Sequence, residues 1–229
     1  MTPEQVVLAT KALEFVPDGS RIGLGSGHTA EAFLRVLAER IRQGLRVRGV
    51  PTSERIRQLA TELGIPVDTL DGGQPLEVTI DGADEVERGT LNLIKGWGAA
   101  LVRERVVAAA SKRQIIIVTA EKLVDRLGSR GRLPVEVVPF AAPFCRWKIE
   151  RLDVPGGLQP SLRLANDGRP LVTDNGHWIL DCRLQPPEDP AALERALRDI
   201  PGVVQTGFFL GTASAVLVAE NGGVRVMTR

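Results

Sequence analysis

Residues 77–85 read Glu77-Val78-Thr79-Ile80-Asp81-Gly82-Ala83-Asp84-Glu85, a β-branched run that stops at a glycine. The first four residues predict a strand. Because Gly82 breaks this strand, Asp81 and Asp84 are expected at or just past its carboxyl end. Open α/β sheets bind their ligands at the carboxyl ends of strands, so the pattern indicates a candidate site.

A second short apolar run, Leu91–Ile94, ends in the same way, with the loop Lys95-Gly96-Trp97-Gly98. Ala99–Ala110 then reads as a helix, which would place Glu104 in its second turn. Two strand ends of opposite charge, with a carboxylate on the next helix, therefore predict an active site.

The composition limits the functions open to the chain. Its 229 residues are 43% hydrophobic and 25% charged, as in soluble globular proteins. The net charge is only +1, whereas proteins that bind nucleic acid are usually strongly basic. No apolar run reaches the roughly 18 residues of a membrane span, and the N-terminus lacks the features of a signal peptide. Cys145 and Cys182 have no metal-binding spacing. We therefore expect a cytoplasmic protein that binds neither nucleic acid nor a membrane.

A glycine-rich turn, Ser26-Gly27-His28-Thr29, lies between a strand predicted at 21–25 and a helix predicted at 30–43. Such a turn presents backbone N–H groups and a positive dipole end to an anion. His28 stands where the dinucleotide motif G-x-G-x-x-G requires glycine, and the P-loop motif is absent. The turn therefore suits a single phosphate. His28 itself is either a phosphate contact or a polar residue at a helix start.

The order of elements predicts two domains. Strands and helices alternate over the first 130 residues, which indicates a parallel sheet with crossover helices. Further strands are expected at 46–50, 67–70 and 114–119, further helices at 3–16 and 54–63, and a turn at 71–73. The first of these helices would begin with a capping box formed by Thr2 and Gln5. After about residue 130 the order becomes β-α-β-β-α-β, as in a ferredoxin-like unit, with strands expected at 134–138, 161–165, 177–182 and 203–206 and helices at 142–152 and 190–200. We predict an α/β fold with a Rossmann-like parallel-sheet domain, 1–130 plus 207–229, and a smaller ferredoxin-like α+β domain, 131–206, inserted before the C-terminal strands.

Taken together, the motifs resemble the type A family of ribose-5-phosphate isomerases. The resemblance is collinear over nearly the whole chain. Its signatures are Gly25-Ser26-Gly27-His28-Thr29-Ala30, Asp81-Gly82-Ala83-Asp84-Glu85, Lys95-Gly96-Trp97-Gly98-Ala99-Ala100-Leu101 with Glu104, Glu121-Lys122, Val172-Thr173-Asp174-Asn175-Gly176, Ile200-Pro201-Gly202-Val203-Val204 and Gly207-Phe208-Phe209.

The resemblance implies reversible isomerisation of D-ribose 5-phosphate and D-ribulose 5-phosphate in the pentose phosphate pathway, without a metal or organic cofactor. Glu104 would be the base that moves a proton between C2 and C1 through a cis-enediolate. Asp81, Asp84 and Lys95 would hold the sugar hydroxyls and assist ring opening. The implied substrate-binding residues are Ser26, Gly27, His28, Thr29, Gly82, Ala83, Gly96, Trp97, Gly98 and Lys122. A homo-oligomer is also implied, either a dimer or a tetramer, and full activity is expected in excess chelator.

Three positions depart from the family pattern. The turn usually reads Thr-Gly-Ser-Thr, so His28 replaces a hydroxyl here, whereas Ser26 keeps one. Trp97 stands where many relatives have glycine or arginine, so only a backbone contact is expected to carry over. Some relatives have a phosphate-binding lysine in the first helix where this chain has Gln5, and we expect Lys11 or an arginine to supply that charge.

The residue types also fit the reaction without reference to the family. Moving a proton between adjacent carbons requires one carboxylate whose pKa lies near the working pH. The developing enediolate oxygen requires a positive neighbour, for which Lys95 and Lys122 are candidates. Remote phosphate binding orients the sugar.

Other interpretations of the same residues are open at this stage. Glu104, within Arg103-Glu104-Arg105, could belong to a surface ion pair, and Asp84 and Glu85 could be solvated turn residues. A sugar-phosphate sensor is the main alternative function, although no helix-turn-helix extension precedes the strand at 21–25. A nucleotide-dependent oxidoreductase is disfavoured by His28.

Overall fold

A computed structural model describes residues 1–71, 74–220 and 222–229. The helices in this part of the chain are α1 (Pro3–Ala12), α2 (His28–Arg42), α3 (Glu54–Glu62), α4 (Leu101–Ala109), α5 (Ala142–Ile149) and α6 (Pro190–Arg198). The strands are β1 (Ser20–Leu24), β2 (Val47–Pro51), β3 (Val78–Asp81), β4 (Glu85–Glu87), β5 (Leu93–Ile94), β6 (Gln114–Thr119), β7 (Leu123–Val124), β8 (Leu133–Val137), β9 (Gln159–Leu162), β10 (Trp178–Arg183), β11 (Val203–Thr206), β12 (Phe208–Phe209), β13 (Ala215–Glu220) and β14 (Gly223–Thr228).

The largest sheet has the order β14-β13-β6-β3-β1-β2, and its neighbours are parallel except β13 and β14. This confirms the predicted parallel sheet. From β1 the chain adds β2 on one side and then β3 on the other, so the strand order reverses between β1 and β3. A crevice opens outside the carboxyl ends of the strands at such a reversal, where α/β sheets bind ligands.

The first three helices pack on this sheet through a continuous apolar core. The helical side chains Leu8 and Phe33 and the strand side chains Ile22, Ile80 and Leu217 belong to it and are fully buried. Removal of this apolar surface from water stabilises the sheet and fixes the positions of its strand ends.

The start of α1 follows the predicted capping box. Thr2 Oγ1 accepts a hydrogen bond from the Gln5 backbone N–H at 3.2 Å, and the Gln5 side chain accepts one from the Thr2 N–H at 2.9 Å. Pro3 occupies the first turn, where its missing N–H is not needed. Gln5 is therefore part of the helix cap.

A second sheet, β11-β8-β10-β9, is antiparallel throughout and carries α5 and α6. Its chain order is the predicted β-α-β-β-α-β. Its core is separate from that of the main sheet and includes Val135, Cys145, Leu180 and Leu197. The exact domain boundaries, 131 and 206, stay a prediction.

A third sheet, β12-β5-β4-β7, was not predicted. Its strands are only two or three residues long, too short to show an alternating pattern. β5 leads directly into the Lys95–Gly98 loop, and β12 pairs with it through Phe208 and Phe209. The small sheet thus anchors the loop on which Lys95 lies.

Two predicted elements differ from the structure. The strand expected at 67–70 is wrong: only Val67 forms a bridge, to Gly49, because Arg21 binds both the Asp68 carboxylate and the Thr69 carbonyl. The helix expected at 99–110 begins at Leu101, since Ala99 has a left-handed backbone with φ of 65°.

Two elements of the second domain have shifted ends. The helix predicted at 142–152 ends at Ile149, and the strand predicted at 161–165 runs over Gln159–Leu162. The turn predicted at 71–73 cannot be compared, because residues 72 and 73 lie outside the described residues.

Candidate active site

Asp81 is the last residue of β3 and is fully buried. Its Oδ1 accepts hydrogen bonds from the backbone N–H groups of Ser26 at 3.1 Å and Gly82 at 2.8 Å. The two strand ends approach so closely that a Cβ atom on Gly25 would overlap the Asp81 carboxylate, so only glycine fits there. Asp81 thus joins the carboxyl ends of β1 and β3.

Lys95 brings a buried positive charge to the same point. Its Nζ lies 2.9 Å from Asp81 Oδ2 and 3.3 Å from Glu104 Oε1, and it donates a 2.7 Å hydrogen bond to the Gly82 carbonyl. Burial alone would lower the pKa of Lys95, but the charges of Asp81 and Glu104 outweigh it and hold that pKa above its usual value. Lys95 is therefore a stable ammonium.

Glu104 lies in the first turn of α4, one turn earlier than predicted, and is only 4% exposed. Burial raises the pKa of its carboxyl to about 8, against the opposing effect of the Lys95 charge. Its Oε2 has no hydrogen-bond partner among the described residues. A carboxyl with this pKa and a free oxygen is suited to accept and return a proton near neutral pH.

Asp84 is placed beside the Lys95–Gly98 loop. Its Oδ2 accepts a 2.9 Å hydrogen bond from the backbone N–H of Trp97, while the backbone contact expected between Trp97 and the substrate stays a prediction. Burial raises the pKa of Asp84, although this hydrogen bond and the Lys95 charge oppose the shift. Glu85, in contrast, points away from the loop into a buried site, where the N–H groups of Gly128 and Arg130 bind it.

A cavity of about 630 Å³ opens above these groups. Asp81 is absent from its lining, because it lies beneath Lys95. The other predicted site residues all line it: Ser26, Gly27, His28, Thr29, Gly82, Ala83, Asp84, Lys95, Gly96, Trp97, Gly98, Glu104 and Lys122.

The N-terminus of α2 forms one wall of the cavity. Gly27 precedes the helix with φ of 95°, a conformation that favours glycine, and no side chain caps the helix. The Ser26 hydroxyl is already hydrogen-bonded to Thr52 Oγ1 at 2.8 Å and Ser53 Oγ at 3.0 Å. The anion-binding capacity of this wall therefore rests mainly on backbone N–H groups and the helix dipole.

Trp97 and Lys122 form another part of the cavity lining. Lys122 Nζ lies 5.7 Å from the centre of the indole ring, and the guanidinium groups of Arg130 and Arg132 lie 5.3 and 5.5 Å from it. The indole N–H donates a 3.3 Å hydrogen bond to the Arg132 carbonyl. The ring is thus locked in place and carries Lys122 by a cation–π contact.

Several lining residues were missed by the sequence analysis. Val172, Thr173 and Asp174 reach the cavity from the segment between β9 and β10, although their motif was used above only as a signature of the family resemblance. The Asp174 carboxylate accepts a 2.7 Å hydrogen bond from the Glu54 backbone N–H at the start of α3. Glu31, Ser53 and Arg55 also line the cavity, and no local pattern distinguishes them from surface residues.

The described residues contain neither a metal-binding cluster nor a membrane-spanning helix. No group of three or more His, Cys, Asp or Glu side chains is arranged to hold a metal ion. No helix in residues 1–71, 74–220 and 222–229 combines the length and apolar character needed to cross a membrane.

Comparison with known proteins gave consistent matches. Residues 48–223 match the family model described as ribose 5-phosphate isomerase A (phosphoriboisomerase A). The chain is 54% identical over 220 residues to ribose-5-phosphate isomerase A of Gloeobacter violaceus, covering 96% of this chain and 94% of that one. The structure of ribose 5-phosphate isomerase A from Methanocaldococcus jannaschii has a TM-score of 0.92 and 37% identity, covering 99% of this chain and 98% of that one. A D-ribose-5-phosphate isomerase in complex with phospho-erythronic acid has a TM-score of 0.93 and 36% identity, with the same coverage.

Proposed function

Because the chain belongs to the ribose 5-phosphate isomerase A family, we propose that it interconverts D-ribose 5-phosphate and D-ribulose 5-phosphate. One observation carries the chemical assignment: the buried Glu104 carboxyl, with a pKa of about 8 and a free oxygen, faces the cavity beside the Lys95 ammonium. An acid–base group and a fixed positive charge are the two components that an aldose–ketose isomerisation needs.

We assign the proton transfer to Glu104. Its carboxylate takes the C2 proton of the open-chain aldose, the C–H electron pair forms the C1=C2 bond, and the carbonyl electrons move to O1. The resulting acid returns the proton to C1 of the cis-enediolate, while the O2 proton passes to O1 and leaves a carbonyl at C2. One carboxyl group serves both carbons, because C1 and C2 are adjacent.

Lys95 is assigned to the negative charge that develops on the substrate oxygen. Its ammonium is held by Asp81 and the Gly82 carbonyl, so it needs no rearrangement during the reaction. Asp81 does not line the cavity, and we therefore propose that it positions Lys95 rather than contacting the sugar. Asp84, which does line it, is the candidate for binding a substrate hydroxyl.

The remaining cavity residues account for orientation. The N-terminus of α2 is the proposed phosphate site. Lys122, which lies against the Trp97 ring, is a second cation beside Lys95 for binding the sugar part of the substrate. A volume of about 630 Å³ is within the usual range for a small-molecule site. Each chemical task has a protein group, so the proposal includes neither a metal nor an organic cofactor.

We also propose a cytoplasmic homo-oligomer, either a dimer or a tetramer. An apolar surface around α5 supports self-association: Phe140 is 96% exposed, and Phe144 and Trp147 are exposed beside it. Size-exclusion chromatography with light scattering measures the oligomeric state, and a monomer at micromolar concentration would contradict this part.

The function is tested by following ketose formation from D-ribose 5-phosphate. The wild-type protein should convert the substrate, whereas Glu104→Gln should lower kcat by at least about a thousandfold, because the amide cannot exchange the proton. Glu62→Gln, at an exposed position of α3, is the matched control and should retain full activity. An inactive wild type would refute the function, and an active Glu104→Gln variant would refute the assignment of the base.

A further inference from the structure

Arg55 occupies an unusual position for a cation. It is the second residue of α3, in the first turn, where the positive end of the helix dipole repels positive charge. It also lines the cavity, together with Glu31 of α2. A cation placed against a helix dipole and facing a cavity indicates that an anion binds there.

The contacts place Arg55 next to the phosphate wall. Ser26 is the first residue of the glycine-rich turn that leads into α2. Its hydroxyl donates a 3.0 Å hydrogen bond to Ser53 Oγ. Ser53 is the N-cap of α3 and accepts the Ile56 N–H, so the starts of α2 and α3 are tied together two residues before Arg55. Two helix N-termini therefore meet at one end of the cavity.

The charges within the cavity single out Arg55 at this end. Lys95 is paired with Asp81 and Glu104, and Lys122 lies against the Trp97 ring. Lys11, considered in the sequence analysis, pairs with Glu14 beside a different groove. Among the described lining residues, Arg55 is the lysine or arginine that pairs with a residue of α2, Glu31.

The partner of Arg55 in this structure is Glu31. The Nη2 to Oε1 distance is 2.8 Å, the Arg55 side chain is 71% exposed, and the Glu31 side chain is 18% exposed. An ion pair this exposed is weak, so a better ligand readily replaces one partner. A phosphate dianion can accept two parallel N–H bonds from one guanidinium.

We propose that Arg55 binds the substrate phosphate, exchanging Glu31 for the phosphate oxygens when the sugar phosphate enters. This rests on the proposed function and adds a binding residue to it. Arg55 then neutralises the anion from α3, while the N–H groups of α2 hold it from the other side. Before the substrate binds, the ion pair with Glu31 holds the Arg55 side chain beside α2.

The test compares Arg55→Ala with Arg57→Ala, a neighbour on α3 that pairs with Glu54 and does not line the cavity. Arg55→Ala should raise KM for ribose 5-phosphate about tenfold with little change in kcat, because a charged hydrogen bond to phosphate is lost. Arg57→Ala should leave KM unchanged, and Arg55→Lys should recover part of the loss. A wild-type KM in Arg55→Ala would overturn the proposal while the active wild type upholds the function.

Two further comparisons separate phosphate binding from a merely structural role. Arg55→Ala should weaken inhibition by phospho-erythronic acid about tenfold and leave inhibition by erythronic acid, which lacks the phosphate, unchanged. In a Glu31→Gln background the effect of Arg55→Ala should persist, because phosphate and not Glu31 is the functional partner. Equal weakening of both inhibitors, or loss of the effect in the Glu31→Gln background, would overturn the proposal.

Discussion

Two charge clusters meet the Lys95–Gly98 loop from different sheets. The proposed catalytic cluster, defined as Asp81, Lys95 and Glu104, has two carboxylates for one cation and leaves Glu104 Oε2 without a hydrogen-bond partner among the described residues. The supporting cluster, defined as Arg132, Arg163 and Asp181, has two cations for one carboxylate.

The supporting cluster is fully hydrogen-bonded. Arg132 and Arg163 each donate two hydrogen bonds to Asp181, with distances between 2.5 and 2.9 Å. Burial would raise the pKa of Asp181, but these hydrogen bonds hold it below its usual value. Arg163 also donates to the carbonyls of Gly96 and Trp97 and so fixes the loop.

The two clusters differ in hydrogen bonding and in carboxyl pKa, and this difference distinguishes a structural role from a chemical one. A structural cluster satisfies each of its charges and pushes its carboxyl pKa down, whereas a reactive one keeps an oxygen free and its carboxyl pKa high. Both contain buried or half-buried ions, so burial alone does not identify the site.

The largest contrast is expected from removing one cation of each cluster. Lys95→Met should lower kcat by at least about a thousandfold. It should also destabilise the fold by about 3–5 kcal/mol, because it leaves Asp81 without its cation in a buried site. Arg163→Met should destabilise by about 2 kcal/mol, since Arg132 still neutralises Asp181, and it should retain most of kcat. Steady-state kinetics and chemical denaturation measure both, and equal losses of kcat would remove the distinction.

The pH dependence of the unfolding temperature should have opposite signs for the carboxyl groups of the two clusters, Glu104 and Asp181. The pKa of Glu104 is raised in the folded state from its usual 4.5 to about 8, so the stability that this carboxyl contributes is full below about pH 4.5 and has been lost once the pH has risen through about 8. Glu104→Gln avoids this loss and should have a higher Tm than the wild type above pH 8, and the difference should shrink as the pH is lowered toward 4.5.

Asp181 has the reverse sign. Its pKa is lowered in the folded state, so the stability it contributes is present above its unfolded pKa and is lost as the pH falls through the folded value. Asp181→Asn should therefore lower Tm at neutral pH. A lower Tm of Glu104→Gln at alkaline pH would show that the carboxylate is stabilising and would contradict the raised pKa.

The smallest effect is expected at Trp97, where the loop meets Lys122. Trp97→Ala removes the cation–π contact and should raise KM about twofold to fivefold, whereas Trp97→Phe keeps a ring and should stay close to the wild type. Trp147→Ala is the control, because Trp147 also carries two cations but does not line the cavity. Equal KM values for Trp97→Ala and Trp97→Phe would show that the ring does not position Lys122.

The parallel sheet and the catalytic cluster could be predicted because each leaves a local signal. Strands that end in Asp81 and Lys95 must present these residues at a sheet edge, and the glycines mark where the strands stop. The expectation that opposite charges meet there agrees with the 2.9 Å separation of the two side chains.

The supporting cluster and Arg55 could not be predicted, because both depend on long-range packing. Arg163 and Asp181 are partners only because β9 pairs with β10, and the Arg163 side chain reaches the loop only because the second sheet packs against it. Arg55 looks like an ordinary solvated helix residue until the Ser26–Ser53 contact places it beside α2. The pairings of the third sheet could not be predicted either, because its strands have only two or three residues and because β7 and β12 lie far along the chain from β4 and β5.

The most direct test of the central claim follows the proton itself. With D-ribose 5-phosphate in deuterium oxide, the wild-type protein should place solvent deuterium on C1 of the ketose, since the Glu104 acid exchanges before it returns the proton. Glu104→Gln should incorporate none at a measurable rate, while Glu62→Gln should match the wild type. Incorporation by Glu104→Gln at the wild-type rate would contradict the assignment of Glu104 as the base.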